Sequence, residues 1–176
     1  MGITIQGEVI DITVRGEVID ITFHRNVLGN TVQGDALGIM LQGDLLQNTV
    51  HSDVLRITGQ GDVLGITVQG EFMGITIQGE VIDITVQGEV IDITFHRNVL
   101  GNTVQGDALG IMLQGDLLRN TVHSDVLGIT GQGDVLGITV HDDALGITVQ
   151  ENALGITVQS DVLDIRLQGD FLGLIE

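Results

Sequence analysis

Apolar and polar positions follow a nonapeptide period that starts at residue 3 and runs without insertion to residue 173. The unit reads I-T-V-Q-G-D-V-L-G, with Gly followed by Asp or Glu at positions 5 and 6. Alternation of apolar and polar residues is typical of a half-buried strand, and β-branched Ile, Thr and Val favour it. The Gly-Asp step is typical of a turn. The pattern therefore predicts nineteen strand-and-turn repeats in which positions 8, 1 and 3 face inward.

The size of one coil follows from four Asn residues that replace Ile at inward position 1: Asn30, Asn48, Asn102 and Asn120. Within each pair the residues are 18 positions apart, so a coil of two repeats stacks Asn on Asn as a hydrogen-bonded structural ladder. A coil of three repeats would place each Asn opposite Ile, and a buried unpaired amide costs about 1–3 kcal/mol. The spacing therefore favours 18 residues per coil.

A larger repeat supports the same coil size. Residues 3–74 recur as residues 75–146 with few changes, and this 72-residue block is four whole 18-residue coils. We predict one all-β domain over residues 1–176, a two-sided parallel β-roll, or β-solenoid, of about nine and a half coils. At about 4.8 Å per coil the rod is roughly 45 Å long.

Composition adds a strong negative charge to this picture. There are 24 Asp and Glu against six Arg, which gives a net charge of −18. This balance disfavours nucleic acid and anionic membranes as partners and favours divalent cations or basic surfaces. Cys is absent, so no disulfide is expected. We predict no signal peptide and no transmembrane segment, and the sequence leaves both localisation and a natural or designed origin open.

Position 6 is acidic in sixteen of the nineteen repeats, the exceptions being Asn26, Asn98 and Asn152. With Asp at position 6 and Leu at position 8, as in segments 62–64 and 134–136, the repeat resembles the RTX nonapeptide β-roll, G-G-x-G-x-D-x-L-x. That resemblance implies a roll that binds calcium along its acidic edges. The chain departs from the RTX pattern at positions 1, 2 and 4, where Ile, Thr and Gln replace Gly. No other cofactor is predicted.

Thr at position 2 forms a second row. In the even-numbered repeats the row is unbroken, whereas Met40, Met112 and Arg166 interrupt the row of the odd-numbered repeats. The unbroken row, called the Thr file here, resembles the Thr rows of β-solenoid antifreeze proteins, which implies ice binding. The Thr file consists of Thr13, Thr31, Thr49, Thr67, Thr85, Thr103, Thr121, Thr139 and Thr157.

The five His residues all occupy position 4, and His123 and His141 are 18 residues apart. These two are the candidates for a surface transition-metal site. His, Ser and Asp are contiguous at 51–53 and again at 123–125. A catalytic triad depends on geometry rather than on adjacency, so we assign no catalytic residue and predict that the chain is not an enzyme.

The two ends of the predicted rod carry no distinct polar cap. Residues 3–11 are a full repeat, and residues 171–176 are mostly apolar. Exposed strand edges pair readily with another chain. The sequence therefore predicts a structural rod that self-associates end to end, as a dimer or a filament. The alternatives are ice binding through the Thr file and a calcium-responsive roll.

Overall fold

The structure is a computed structural model that describes residues 2–175, and it describes their side chains except at positions 9, 154, 171, 174 and 175. Fifteen strands form one sheet, and residues 2–175 contain no helix. The chain winds as a parallel β-solenoid of about nine turns, which confirms the predicted fold class. Because the described range lacks helices, it contains none that is long and apolar enough to cross a membrane.

The strands are β1 Gly2–Ile5, β2 Val9–Ile10, β3 Thr13–Arg15, β4 Val18–Phe23, β5 Val27–Leu28, β6 Thr31–Leu41, β7 Leu45–Gly59, β8 Val63–Gln69, β9 Phe72–Ile77, β10 Val81–Phe95, β11 Val99–Leu113, β12 Leu117–Gly131, β13 Val135–Val149, β14 Ala153–Leu167 and β15 Phe171–Ile175.

Successive coils lie on one another in a register of 18 residues. Thr85, for example, pairs with Thr67 on one side and with Thr103 on the other. One described pair departs from this register, Leu100 with Arg119, where the ladder between β11 and β12 is irregular. The 18-residue coil predicted from the spacing of the Asn residues is therefore confirmed.

Each coil contains three runs of paired residues. In β10 the runs are 81–82, 84–88 and 90–95, each hydrogen-bonded to the same positions of the neighbouring coil. Asp83 and Glu89 lie between the runs, outside the residue-to-residue register, although the Glu89 N–H donates to the Glu71 carbonyl oxygen at 3.1 Å. Residues 96–98 separate β10 from β11. A coil therefore bends at three places: at position 9 of the odd repeat, at the Gly-acid step of the even repeat, and at positions 4–6 of the next odd repeat.

The bend at position 9 of the odd repeats uses left-handed backbone. All positive φ angles of the described residues fall there, on six Gly residues and on Asp11, Gln47 and Asp83. A left-handed residue is mildly strained unless it is Gly, and Asp and Asn tolerate it best among the others. This corner interrupts the alternation of inward and outward side chains. In an unbroken strand the residues on either side of it would point the same way, but here the residue before it points outward and the residue after it points inward.

The prediction that position 8 faces inward in every repeat is wrong for half of the repeats. In the even repeats position 8 is buried, as at Ile91 and Leu127, and position 7 is exposed. In the odd repeats the order is reversed: Val81 and Val99 at position 7 are buried, and Ile82 at position 8 is exposed. The left-handed corner is the reason in the nine odd repeats that have it, since extended backbone at position 9 of the even repeats keeps the simple alternation. In the remaining odd repeat Arg119 is not left-handed, and the same reversal coincides with the irregular ladder against Leu100.

The core is a single column of side chains that runs the length of the solenoid. It is built from the apolar residues at positions 1 and 3, at position 7 of the odd repeats and at position 8 of the even repeats. Burial of an Ile or Val side chain stabilises the fold by about 1.5–3 kcal/mol. Every coil contributes a similar set, so an inner coil is covered from both sides and an end coil from one.

Candidate functional site

The Thr file is continuous in the structure. Each member pairs in register with the next one, from Thr13 with Thr31 to Thr139 with Thr157. All nine side chains are exposed or half-buried. On the opposite face, Met40 and Met112 are exposed and interrupt the corresponding row. The even face thus presents hydroxyl and methyl groups at the spacing of the coils.

A row of Gln and His side chains runs beside the Thr file, at position 4 of the even repeats. Gln69 Nε2 donates to Gln87 Oε1 at 2.7 Å, and Gln87 Nε2 donates to Gln105 Oε1 at 2.8 Å. Further along the row the rings of His123 and His141 stack with centroids 5.0 Å apart and an interplanar angle of 7°. Gln and His therefore occupy equivalent positions in this row, and the side chains named here contact the same position of the next coil.

The remaining His residues also have neighbours in their own rows. His24 Nδ1 lies 2.8 Å from Gln42 Oε1, and His96 Nδ1 lies 2.7 Å from Gln114 Oε1. Within residues 2–175 no group of three or more His, Cys, Asp or Glu side chains is placed to hold a metal ion. Two stacked imidazoles without a third ligand do not define a metal site. We assign no metal ligand to the described part of the chain.

The acidic row at position 6 of the odd repeats has a structural use that the sequence did not suggest. The backbone N–H of Asp44 donates to Asn26 Oδ1 at 3.1 Å, that of Asp62 to Asp44 Oδ1 at 3.1 Å, and that of Glu80 to Asp62 Oδ1 at 2.9 Å. Each short side chain thus accepts a backbone N–H from the next coil, at the turn where the ladder of carbonyl acceptors is interrupted. We call this row the Asx ladder.

A second run of the Asx ladder covers the other half of the solenoid. It begins at Asn98, which accepts the N–H of Asp116, and ends at Asp170, whose N–H donates to Asn152. No such bond joins Glu80 to Asn98 among the described contacts. One further methylene in Glu carries the carboxylate past the N–H that Asp or Asn reaches. The members of the second run are Asn98, Asp116, Asp134, Asn152 and Asp170.

The contiguous His-Ser-Asp segments have backbone rather than catalytic contacts. Ser52 Oγ donates to the Val54 carbonyl oxygen at 2.7 Å and lies 3.2 Å from that of Asp35. Ser124 Oγ likewise donates to the Val126 carbonyl oxygen at 2.7 Å. These hydroxyl protons are therefore directed at main-chain acceptors.

One residue stands out at this corner. Asp142 pairs in register with Ser124 below and Ser160 above, at a position that is Gly or Ser in the other even repeats. Its side chain is buried, and neither carboxylate oxygen has a hydrogen-bond partner. Burial raises the pKa of the Asp142 carboxyl, the charge of Asp143 adds to this, and the Ser160 hydroxyl partly offsets it. The sequence indicated this site only through an acidic residue at position 5 of an even repeat, where the other even repeats have Gly or Ser.

The four Asn residues of the structural ladder are all buried, and each lies one coil from its partner, as in the pairing of Asn102 with Asn120. Asn48 Oδ1 accepts the backbone N–H of Asn30 at 2.9 Å, and Asn48 Nδ2 donates to the Leu46 carbonyl oxygen at 2.9 Å. The contacts in this pair thus run from amide to backbone. Both amide atoms of Asn120 lack a partner.

The chain was compared with protein-family models, with curated proteins and with solved structures. None of the three comparisons finds a match. The parallel β-solenoid is consistent with the roll architecture that the nonapeptide pattern resembles.

Proposed function

We propose that this chain is a non-enzymatic structural rod that self-associates through the exposed faces of its first and last coils. The observation that carries the proposal is the partial cover of apolar core residues there. Ile3 and Ile5 are half-buried, whereas Ile21 and Phe23, in the same columns one coil further in, are buried. Half-covered apolar side chains favour a second surface of the same shape.

The other end of the described solenoid has the same character. Leu163, Ile165 and Leu167 are half-buried, although Ile147 and Val149 one coil earlier are fully buried. The side chains of residues 171, 174 and 175, and residue 176, lie outside the described ones.

The backbone at both ends supports the same partner. Among the described residues β1 pairs only with β4 and β15 only with β14, so each keeps one edge of N–H and C=O groups without a strand beside it. The free edge of β1 and the free edge of β15 face opposite directions along the solenoid, and both follow the same 18-residue register. The two edges are therefore complementary. A second copy can therefore continue the ladder in parallel orientation.

Sedimentation velocity over a concentration series tests this proposal. We expect dimers or longer assemblies that increase with ionic strength, because salt screens the repulsion between chains of charge −18. Aspartate at Ile3 and Ile5 places charges on the apolar face and should leave monomers, with circular dichroism confirming an intact fold. The control is Leu64→Asp combined with Ile82→Asp, which adds the same two charges at exposed sites of inner coils. A strict monomer at high concentration and high salt would overturn the proposal.

A second candidate, ice binding, is favoured by the register of the Thr file. We expect thermal hysteresis that is lost when Thr85 and Thr103 are both replaced by Tyr, because a bulky ring disrupts an exposed row of hydroxyl and methyl groups. Thr76 and Thr94 form a matched control, since they pair in the same way on the opposite face. An absence of ice shaping by the unmodified protein would remove this candidate.

The calcium-responsive roll has less support from the contacts. In the Asx ladder the Asp side chains already accept backbone N–H groups of the next coil, as at Asp44 and Asp62. Calcium requires six to eight oxygen ligands, including several carboxylates that are free to turn towards it. A folded circular dichroism spectrum in the presence of a chelator is the result we expect.

A further inference from the structure

The corner at position 5 of the even repeats forms a small slot whose described polar contacts are carbonyl oxygens. The hydroxyl groups of Ser52, Ser124 and Ser160 each donate to the carbonyl oxygen two residues ahead, at 2.7, 2.7 and 2.9 Å. Ser52 Oγ also lies 3.2 Å from the Asp35 carbonyl oxygen of the preceding coil. A side chain in this slot is therefore satisfied when it donates a hydrogen bond.

Asp142 occupies this slot in the coil between Ser124 and Ser160. Its side chain is 9% exposed, and both carboxylate oxygens are buried without a partner. An ionised carboxylate only accepts hydrogen bonds, whereas a protonated one donates through its O–H. The Ser160 hydroxyl of the next coil is close enough to lower the pKa of Asp142, but burial outweighs this effect. In the structure that hydroxyl donates to the Val162 carbonyl oxygen instead, so the slot offers mainly acceptors to a group that, when charged, needs donors.

The neighbouring carboxylate of Asp143 acts in the same direction. The groove at this corner is also lined by Asp125 and Asp161 of the coils on either side and by Asp107, two coils away. The same groove contains His123 and His141, whose rings stack on each other. Like charges within a few ångströms disfavour a further negative charge.

We propose that Asp142 is a proton-binding site: in the folded chain its carboxyl group holds a proton, and the O–H donates to the carbonyl oxygen of Ala144, as Ser does in the equivalent coils. With the proton in place, the polar residue at this corner donates to the carbonyl oxygen two residues ahead in all four coils, whether it is Ser or Asp. Loss of that proton leaves a buried anion facing carbonyl oxygens. The coil that contains Asp142 is therefore a point at which the stability of the solenoid responds to pH.

The direction of the pH effect follows from the raised pKa of Asp142, because burial outweighs the lowering by the Ser160 hydroxyl and the charge of Asp143 adds to the rise. The unfolded chain releases this proton near the ordinary value for Asp, whereas the folded chain keeps it to higher pH. The contribution of Asp142 to stability therefore falls as pH rises above that ordinary value. The fall stops once the pH exceeds the pKa in the folded state.

Thermal unfolding of Asp142→Ser tests the proposal, because Ser satisfies the slot at any pH. We expect the variant to unfold about 2–4 °C above the unmodified chain near neutral pH, and the gain to vanish near pH 4. Asp53→Ser removes an equal charge from an exposed carboxylate and should show no such pH-dependent gain. A gain that is equal at both pH values would overturn the proposal.

Two further measurements keep the proposal falsifiable where unfolding is irreversible. The carboxyl carbon resonance that disappears in Asp142→Ser should titrate at higher pH than those of exposed aspartates. Conversely, Ser52→Asp should place a second proton-binding group in a slot of the same shape and lower the midpoint near neutral pH but not near pH 4. Titration of Asp142 together with the exposed aspartates would contradict the inference.

Discussion

Replacement of Val81 by aspartate is expected to unfold the solenoid, whereas the same replacement at Ile82 should leave it folded. Val81 is 0% exposed and Ile82 is 43% exposed, although both are aliphatic and adjacent. A carboxylate buried in the core column costs about 4 kcal/mol or more, and one at an exposed position costs at most about 1 kcal/mol. Urea unfolding followed by circular dichroism measures the difference.

The next repeat on the same strand supplies the internal control, because its pattern is inverted. Val90 is 44% exposed and Ile91 is 1% exposed, so here position 7 tolerates aspartate and position 8 does not. Among these four variants of β10, we expect Ile82→Asp and Val90→Asp to remain folded. We expect Val81→Asp and Ile91→Asp to unfold. Equal damage at positions 81 and 82 would contradict the left-handed corner at Asp83.

Two Asn residues at equivalent positions of the duplicated block should respond to Ile with opposite signs. Asn48→Ile removes the acceptor of the Asn30 N–H and the donor to the Leu46 carbonyl oxygen, and we expect a loss of about 1–2 kcal/mol. Asn120→Ile removes an amide without partners and replaces it with a buried side chain. Here we expect a gain of about 1–3 kcal/mol.

The comparison is well matched, because residues 48–55 and 120–127 are identical. The residue before them differs: Gln47 has a φ of 48°, and Arg119 is not left-handed. At Arg119 the ladder also slips by one residue against Leu100. The left-handed Gln47 brings the Leu46 carbonyl oxygen within reach of Asn48. Urea midpoints that shift in the same direction in both variants would contradict this account.

The coil size and the parallel stacking could be predicted from the sequence because Asn replaces Ile at inward position 1 only in pairs that are 18 residues apart. The spacing of Asn30 and Asn48 was therefore enough to choose 18 residues over 27. The predicted hydrogen bonds between the Asn amides are not among the described contacts, since the amide of Asn48 bonds to backbone atoms instead. The facing of position 8 could not be predicted in this way. Odd and even repeats both carry Leu or Ile there, as at Ile82 and Ile91, and the decision depends on a backbone angle at position 9.

For the candidate surfaces, the sequence predicted which residues align in rows but not which contacts their side chains make. Periodicity places Thr85 over Thr103, but it does not say that the carboxylate of Asp62 accepts a backbone N–H from the next coil. That contact depends on the short reach of Asp at a turn, which distinguishes it from Glu80 although both are acidic. The role of Asp142 likewise could not be predicted from the sequence, because it depends on the carbonyl oxygens that accept hydrogen bonds at this corner.

The alternation of two kinds of corner has a consequence for how a gene of this kind changes in length. Recombination between misaligned copies adds or removes whole nonapeptides. An offset of two copies preserves which residues are covered. An offset of one exchanges the roles of odd and even copies, so that side chains such as Ile82 and Val81 trade places across the point of exchange. We therefore expect a folded product when the length changes by pairs of copies, as in the 72-residue duplication of eight nonapeptides.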